Sequence, residues 1–179
     1  MLKKFIPFAY AKSIFDVDYE NLRKQGVTTL FFDLDNTIIS YDEHIIEGER
    51  LKLLEALNQT FKVLIISNSK IKRVSNAVEH TGLPYVHFAT KPLKRGFKKG
   101  LKKVQSKRSE VVVIGDQLMT DCFGANRMKF KAILVYPVVK KSDHKYTRFN
   151  RKLERFVIKK IMKKYPKLYE ERLKAYVES

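Results

Sequence analysis

Cysteine, chain-breaking residues and long apolar runs are all scarce in this sequence. Its 179 residues include one cysteine, Cys122, which excludes an internal disulfide and favours a reducing, cytoplasmic compartment. Seven glycines and five prolines, with 44% hydrophobic residues, exclude a disordered chain. No apolar run approaches the roughly 20 residues that a membrane-spanning helix needs. The simplest expectation is one domain with short additions.

The positive charge of the chain is concentrated in two segments. The formal net charge is +18. Residues 91–108 carry nine basic and no acidic side chains, and residues 137–179 carry 14 basic and five acidic ones. Each segment therefore has a surplus of nine positive charges, and the rest of the chain is balanced. Concentrated positive charge indicates an anionic partner, which could be a phosphate ligand, nucleic acid or an anionic membrane.

Short apolar runs alternate with helix-like segments through the middle of the chain. The strand-like runs are residues 28–32, 62–66, 85–89, 111–114 and 132–136. The helix-like segments between them are residues 47–59, 70–81, 95–106 and 119–129. This alternation predicts an α/β fold, in which a doubly wound, mostly parallel sheet has helices on both faces. Ligands of such sheets bind at the carboxyl ends of the strands.

Polar side chains follow four of the predicted strands, at the point where each strand ends. They are Asp33 and Asp35 after the first strand, Ser67 and Asn68 after the second, Lys91 after the third, and Asp116 and Asp121 after the fourth. Each of them alone could be an ordinary cap or turn residue. Their arrival at one edge predicts a site. Carboxylates at the mouth of an apolar core need a compensating cation, and Mg²⁺ prefers such oxygen ligands.

These groups are suited to phosphoryl transfer, in which charge on the phosphate oxygens must be balanced. One carboxylate can attack phosphorus and form an aspartyl-phosphate, which water later hydrolyses. A carboxylic acid two residues away can protonate the departing oxygen and then deprotonate the attacking water. A lysine and a hydroxyl can bind the phosphate oxygens.

The motifs D-L-D-N-T, S-N-S, K-P and G-D-x-x-x-x-D resemble, in order, those of the haloacid dehalogenase superfamily of phosphatases, over about residues 28–136. The resemblance implies a Rossmann-like fold, Mg²⁺ as the cofactor, Asp33 as the nucleophile and Asp35 as the general acid and base. It assigns catalysis to Asp33, Asp35, Ser67 and Lys91, phosphate binding to Thr37, Ser67, Asn68 and Lys91, and metal coordination to Asp33, the Asp35 carbonyl and Asp116, with Asp121 in support.

Three alternatives bear on this assignment. Lys94 competes with Lys91 for the lysine role. An apolar residue at position 35 would favour a dehalogenase, whereas Asp35 favours a phosphatase. The receiver domain of a signalling relay also has a phosphorylated aspartate, but the D-x-D-x-T spacing and the pair Asp116 and Asp121 fit it poorly.

The connections between the motifs are too short to hold a cap domain. About ten residues, 38–47, follow the first motif, and one helix and one strand fill the space between Ser67 and Lys91. The sequence therefore predicts an open site that admits a bulky phosphate ester, although a second protomer could cover it. We expect a lead segment packed on the core (1–27), a phosphatase core (28–137) and a basic helical extension of the same domain (138–179).

Residues 148–164 of the extension are amphipathic at helical spacing. One side carries Phe149, Leu153, Phe156, Val157 and Ile161, and the other carries Arg148, Arg151, Lys152, Arg155 and Lys159. We expect the apolar stripe to pack on its own domain. The basic face could meet an anionic membrane.

The whole chain also resembles the YqeG-like, type IIIA capless phosphatases, which are similar to phosphatidylglycerophosphate phosphatases. That resemblance implies hydrolysis of phosphatidylglycerophosphate to phosphatidylglycerol. Together with the missing cap and the localised charge, it leads us to expect a cytoplasmic protein in peripheral contact with the inner membrane surface. Two alternatives stay open: a phosphatase of soluble nucleotides or nucleic-acid ends, and a non-enzymatic nucleic-acid- or ribosome-associated protein on the same fold. The sequence does not predict the oligomeric state.

Overall fold

The computed structural model describes residues 2–138 and 145–179. Within them, the strands are β1 (Ala9–Ala11), β2 (Thr29–Phe32), β3 (Lys62–Ile66), β4 (Tyr85–Val86), β5 (Val111–Gly115) and β6 (Lys131–Val135). They form one six-stranded sheet in the order β1-β6-β5-β2-β3-β4, and every pairing is parallel. The predicted α/β architecture is confirmed.

Helices connect the strands and continue beyond the last one. The α-helices of the described residues are α1 (Tyr19–Lys24), α2 (Gly48–Asn58), α3 (Ile71–Val78), α4 (Lys94–Val104), α5 (Phe123–Met128), α6 (Lys145–Lys164), α7 (Pro166–Arg172) and α8 (Lys174–Glu178). Short 3-10 helices occupy Leu2–Phe5, Ile14–Asp16, Glu79–Thr81 and Arg108–Glu110, and a π-helix, Leu118–Cys122, leads into α5. None of the described helices is both long enough and apolar enough to cross a bilayer.

The core lies on both faces of the sheet, because successive residues of a strand point to opposite sides. Leu30 and Phe32 belong to one apolar cluster, which also contains Leu54 of α2. Phe31 belongs to the other cluster, with Phe97 of α4. All residues of β2 are buried, as expected of a central parallel strand with helices on both sides.

The register of the three central strands aligns their carboxyl ends. Phe32, the last residue of β2, lies opposite Ile65 of β3 and Ile114 of β5. The residues that directly follow these strands, including Asp33 and Ser67, therefore emerge at the same edge of the sheet. This alignment brings together groups that are far apart in the sequence.

Two features of the sheet differ from the prediction. The strand predicted at 85–89 ends at Val86, because the next residues turn away and Phe88 N donates to Ser69 O at 2.9 Å. The lead segment contributes a strand that was not predicted: β1 pairs with β6, with Ala9 opposite Ile133. Three residues are too few to show an alternating pattern.

The connections around the predicted site are as short as expected. Within the described residues, the chain from Ser67 to Lys91 holds α3, a 3-10 helix and the two-residue strand β4. Residues 38–47 form turns and loops before α2. The described residues therefore contain no cap domain inserted at either place.

The prediction for the apolar stripe of α6 is wrong for three residues. Phe149, Leu153 and Phe156 are exposed, whereas Ile158 and Ile161 are buried against the core. The helix is turned by polar contacts of its inner face, described below. Two parts of the predicted extension, residues 139–144 and the side chains of residues 145–148, lie outside the described residues.

Candidate active site

Lys91 joins two carboxylates at the carboxyl edge of the sheet. Its Nζ donates to Asp33 Oδ1 at 2.6 Å and to Asp121 Oδ1 at 2.7 Å. All three side chains are buried. Burial alone would lower the pKa of Lys91, but the charges of Asp121 and Asp33 outweigh it and raise that pKa above its usual value. Lys91 is therefore a fixed positive charge beside Asp33.

The backbone of Lys91 is held by Asn68. Lys91 N donates to Asn68 Oδ1 at 2.6 Å, and Asn68 Nδ2 donates to Lys91 O at 3.1 Å. Lys94, the alternative for the lysine role, is exposed on the first turn of α4. Of these two lysines, the one at position 91 therefore makes the contact with Asp33.

The Asp35 carboxylate faces a different set of groups from that of Asp33. Its Oδ2 accepts hydrogen bonds from Ser69 Oγ at 2.7 Å and Ser67 Oγ at 3.2 Å. Its Oδ1 accepts from Arg73 Nε at 3.0 Å. Two carboxylates two residues apart thus lie at one edge in different electrostatic surroundings.

The turn after Asp35 depends on Asn36. Its φ is 62°, in the left-handed region that asparagine tolerates better than most residues. Asn36 N donates to Ile39 O at 2.7 Å, which closes the turn. The chain consequently folds back under the site, with Thr37, Ile38 and Ile39 buried.

Asp116 follows β5 and is buried between a hydroxyl and a guanidinium. Its Oδ1 accepts from Thr37 Oγ1 at 3.4 Å, and its Oδ2 accepts from Arg151 NH2 at 2.6 Å. Burial raises the pKa of Asp116 to about 7, against the opposing charge of Arg151. Ionised Asp116 is therefore a buried charge that depends on Arg151 for compensation.

The π-helix brings Asp121 back to the site. Asp121 Oδ2 accepts from Gln117 N at 3.1 Å, while its other oxygen meets Lys91. Gly115 leaves room for this carboxylate, since a Cβ at that position would lie 2.4 Å from Asp121 Cγ. Local widening of a helix is a common feature of functional sites, and here it fits Asp121 against the end of β5.

Three of the acidic residues could hold a cation together. One carboxylate oxygen from each of Asp33, Asp116 and Asp121 lies within 4.8 Å of the others, and all three residues are buried. Burial also raises the pKa of Asp33 well above its usual range, despite the opposing charge of Lys91. Crowded, buried carboxylate oxygens are suited to a hard divalent cation, which would relieve their mutual repulsion. The donor set therefore fits a divalent metal.

A small cleft of about 30 Å³ opens onto these groups. Its lining includes Asp33, Asp35, Tyr41, Ser67, Asn68, Ser69, Lys91, Gln117 and Thr120. The structure thus places Asp33, Asp35, Ser67, Asn68 and Lys91 along one cleft, with Asp116 and Asp121 beside Asp33. Thr37 donates to Asp116 and does not line this cleft.

Sequence reasoning missed Arg73 as a site residue. Besides Asp35, it binds the backbone oxygens of Ser40, at 2.9 Å from NH2, and of Glu43. It thereby ties the loop after the first motif to α3 and orients the Asp35 carboxylate. A lone arginine on a predicted amphipathic helix gives no sequence signal for this role.

The inner face of α6 also contacts the site. Arg151 reaches Asp116, and Asn150 Nδ2 donates to Gln117 Oε1 at 3.2 Å. The buried Glu154 accepts from Leu118 N at 3.0 Å. The sequence placed Arg151 on a basic face but gave no sign that the face turns inward.

The chain is similar to known hydrolases and phosphatases. Residues 8–129 match the family model of the haloacid dehalogenase-like hydrolases. Probable phosphatase YqeG of Bacillus subtilis (strain 168) is 37% identical over 166 residues, which span 92% of this chain and 96% of that protein.

Two solved structures superimpose with a TM-score of 0.51. An uncharacterized protein from Listeria monocytogenes serotype 4b is 22% identical, with 60% of this chain and 78% of that chain covered. The candidate HAD-hydrolase YfnB from Bacillus subtilis, whose structure is bound to magnesium, is 15% identical, with 64% and 91% covered. At these identities the likeness concerns the fold alone.

Proposed function

Because this chain belongs to the haloacid dehalogenase-like hydrolases, in the YqeG family of phosphatases, we propose that it hydrolyses phosphatidylglycerophosphate to phosphatidylglycerol with the help of Mg²⁺. The observation that carries the phosphatase chemistry is the convergence of Asp33, Lys91 and the acidic cluster around one cleft. The choice of lipid rests on the resemblance, the open cleft and the basic surfaces.

Asp33 is the proposed nucleophile. Its carboxylate attacks the phosphorus, the bond to the alcohol oxygen breaks, and an aspartyl-phosphate forms. Lys91, 2.6 Å from Asp33 Oδ1, offsets the negative charge that accumulates as two anions approach each other. Asp33, Asp116 and Asp121 would hold Mg²⁺, which supplies further positive charge to the phosphate oxygens.

Asp35 is the proposed general acid and base. It protonates the departing alcohol oxygen, and it later takes a proton from the water that hydrolyses the aspartyl-phosphate. Arg73 and Ser69 fix its orientation through opposite carboxylate oxygens, at 3.0 Å and 2.7 Å. Ser67, 3.2 Å from Asp35, is placed to donate to a phosphate oxygen instead when substrate is bound.

The architecture around the cleft supports a large substrate. The described loops and helices next to the site contain no cap, so a phosphate at the end of a bulky molecule has access. The nine basic side chains of residues 91–108 begin at Lys91 itself, beside the cleft. An anionic headgroup in a lipid surface suits both properties.

A phosphate-release screen tests the proposal. Purified protein with Mg²⁺ would receive phosphatidylglycerophosphate, nucleoside monophosphates, oligonucleotides with terminal phosphates, and sugar phosphates. We expect the lipid to be hydrolysed with the highest kcat/KM. The matched control is the Asp42→Asn variant, which removes an exposed acid next to Tyr41 of the cleft and should show the same substrate preference as the wild type. Hydrolysis of the nucleotides or sugar phosphates without hydrolysis of the lipid would contradict the proposed lipid substrate but would still support phosphatase activity.

Binding of Mg²⁺ is expected to weaken below about pH 7. Burial raises the pKa of Asp116 to about 7, so below this pH the metal must displace a proton, and above it the carboxylate is already ionised. Each proton that the metal displaces lowers the apparent affinity about tenfold for each pH unit below the pKa of its carboxylate. Titration calorimetry across this range would measure the change. An affinity that stays constant on acidification would contradict the prediction.

A further inference from the structure

A groove of about 510 Å³ adjoins the catalytic cleft on the β4 side of the sheet. Its walls include Lys70, Ile71, Phe88, Thr90, Arg95 and Lys99. Lys70 follows Ser69 of the cleft, and Thr90 precedes Lys91. The groove and the cleft thus share a rim, built from the two loops that follow β3 and β4.

Large apolar side chains in or next to these loops, and Leu93 at the start of α4, are exposed to solvent. Phe88 is 61% exposed, and Ile71 and Leu93 are 56% and 54% exposed. Phe88 has a φ of 46° and Thr90 one of 55°, in a region that aromatic and β-branched residues rarely adopt. The fold therefore tolerates both backbone strain and apolar exposure here. A patch of this kind is typical of an interaction surface.

Positive charge surrounds the patch. Lys70, Arg95 and Lys99 lie within the groove, and Lys103 lines an adjoining hollow with Ile71. Residues 91–108 contain no acidic side chain to offset them. Exposed apolar side chains with cations around them are complementary to a partner that has anionic groups at its surface and apolar groups below them.

A second exposed apolar surface flanks the cleft on α6, whose Asn150 contacts Gln117 of the cleft lining. Phe149, Leu153 and Phe156 recur at helical spacing along α6, and all three are exposed. Lys160 Nζ lies 4.2 Å from the centre of the Phe156 ring. The hydrogen bond from Asn150 to Gln117 holds this helix beside the cleft.

We propose that these two flanks seat the protein on an anionic phospholipid bilayer, with the catalytic cleft facing the headgroups. This proposal rests on the proposed function, because the choice of a lipid partner follows from the proposed lipid substrate. Phe88, Ile71 and Phe149 enter the interface between headgroups and acyl chains, while the basic side chains bind lipid phosphates. Nucleic acid would engage the cations but gives aliphatic groups such as Ile71 and Leu153 little to contact.

Vesicle flotation with the full chain tests the surface. One variant combines Phe88→Asn with Ile71→Gln, because asparagine adopts positive φ readily and keeps the loop in place. A second combines Phe149→Gln with Phe156→Gln. The matched control is Val177→Gln, which removes an apolar side chain of similar exposure (50%) from α8. Thermal unfolding of each variant checks that the fold is retained.

The wild type is expected to bind mixed vesicles of phosphatidylcholine and phosphatidylglycerol, and to bind pure phosphatidylcholine weakly. Each double variant should bind the anionic vesicles at least about tenfold less tightly, since burial of one large apolar side chain corresponds to such a factor. The Val177→Gln control should bind as the wild type does. Hydrolysis of phosphatidylglycerophosphate in vesicles should fall with binding, and hydrolysis of the detergent-dispersed lipid should not.

Two outcomes would contradict the proposed membrane-binding surface: wild-type protein that does not bind anionic vesicles, or folded double variants that bind them as tightly as the wild type. Tighter binding to a single-stranded oligonucleotide than to vesicles, unchanged in the double variants, would assign the basic flanks to nucleic acid. Vesicle binding without lipid hydrolysis would refute the proposed substrate while leaving the surface in place. The two proposals therefore fail in different experiments.

Discussion

Replacing Asp33 with asparagine is expected to reduce phosphate release by about a thousandfold or more, because an amide cannot form the aspartyl-phosphate. The fold should survive. Burial raises the pKa of Asp33 well above its usual range, which means that the ionised form costs stability at neutral pH. A neutral side chain of the same shape removes that cost, and Lys91 keeps its contact with Asp121.

Two measurements check this prediction. Phosphate release under single-turnover conditions should lose its phosphoenzyme signal together with its rate, while the thermal unfolding midpoint stays at or above the wild-type value. The Asp42→Asn protein should match the wild type in both. If the Asp33→Asn protein turned over at a near-normal rate, Asp33 would not be the nucleophile.

Replacing Lys91 with methionine is expected to remove both activity and much of the stability. The substitution leaves Asp33 and Asp121 buried without the ammonium that lies 2.6 Å and 2.7 Å from them. Breaking a buried ion pair from one side costs about 3–5 kcal/mol of unfolding free energy. Loss of a charge that stabilises the transition state lowers kcat by a further factor of about 10²–10³.

The pH dependence separates this cause from a simple packing defect. As the pH falls, protonation of the crowded carboxylates removes their repulsion, so the deficit of the Lys91→Met protein should shrink. Mg²⁺ should also restore part of the unfolding temperature. Chemical denaturation across a pH series measures the effect, and the exposed Lys94→Met variant is the control. A deficit that is the same at every pH would show that charge is not the cause.

The sheet and the main site residues can be predicted because their signals are local. The run 28–32 consists of β-branched and aromatic or aliphatic residues, its strand residues 29–32 are all buried, and Asp33 and Asp35 follow it directly. Parallel pairing then brings the other strand ends alongside, since β2 lies between β3 and β5. Motif order and the parallel-sheet rule are therefore sufficient to expect Lys91 and Asp116 near Asp33.

Residues that act through tertiary contacts give no such signal. Arg73 binds Asp35 only because the loop of residues 38–47 folds over α3, and nothing in its sequence neighbourhood marks this contact. The three residues of β1 form a strand only where β6 offers a free edge. In both cases the partner lies far away in the chain.

The orientation of α6 shows how polar contacts can override an apolar pattern. Hydrophobic spacing alone turns Phe149, Leu153 and Phe156 inward. The observed helix instead buries Glu154, which accepts hydrogen bonds from Leu118 N at 3.0 Å and from Tyr176 OH at 2.6 Å. The two hydrogen bonds to this buried carboxylate fix α6 in an orientation that hydrophobic periodicity does not predict.

The ion pair between Arg151 and Asp116 crosses the boundary at residue 137 that separates core from extension in the sequence. Any fragment that stops at this boundary would carry every recognisable motif and still have an incomplete site, with a buried acid stripped of its guanidinium. Exchanging the extension, in evolution or in the laboratory, would thus alter the electrostatic surroundings of Asp116 in the active site as well as the surface of the protein. A complete catalytic domain therefore extends at least as far as Arg151 of α6.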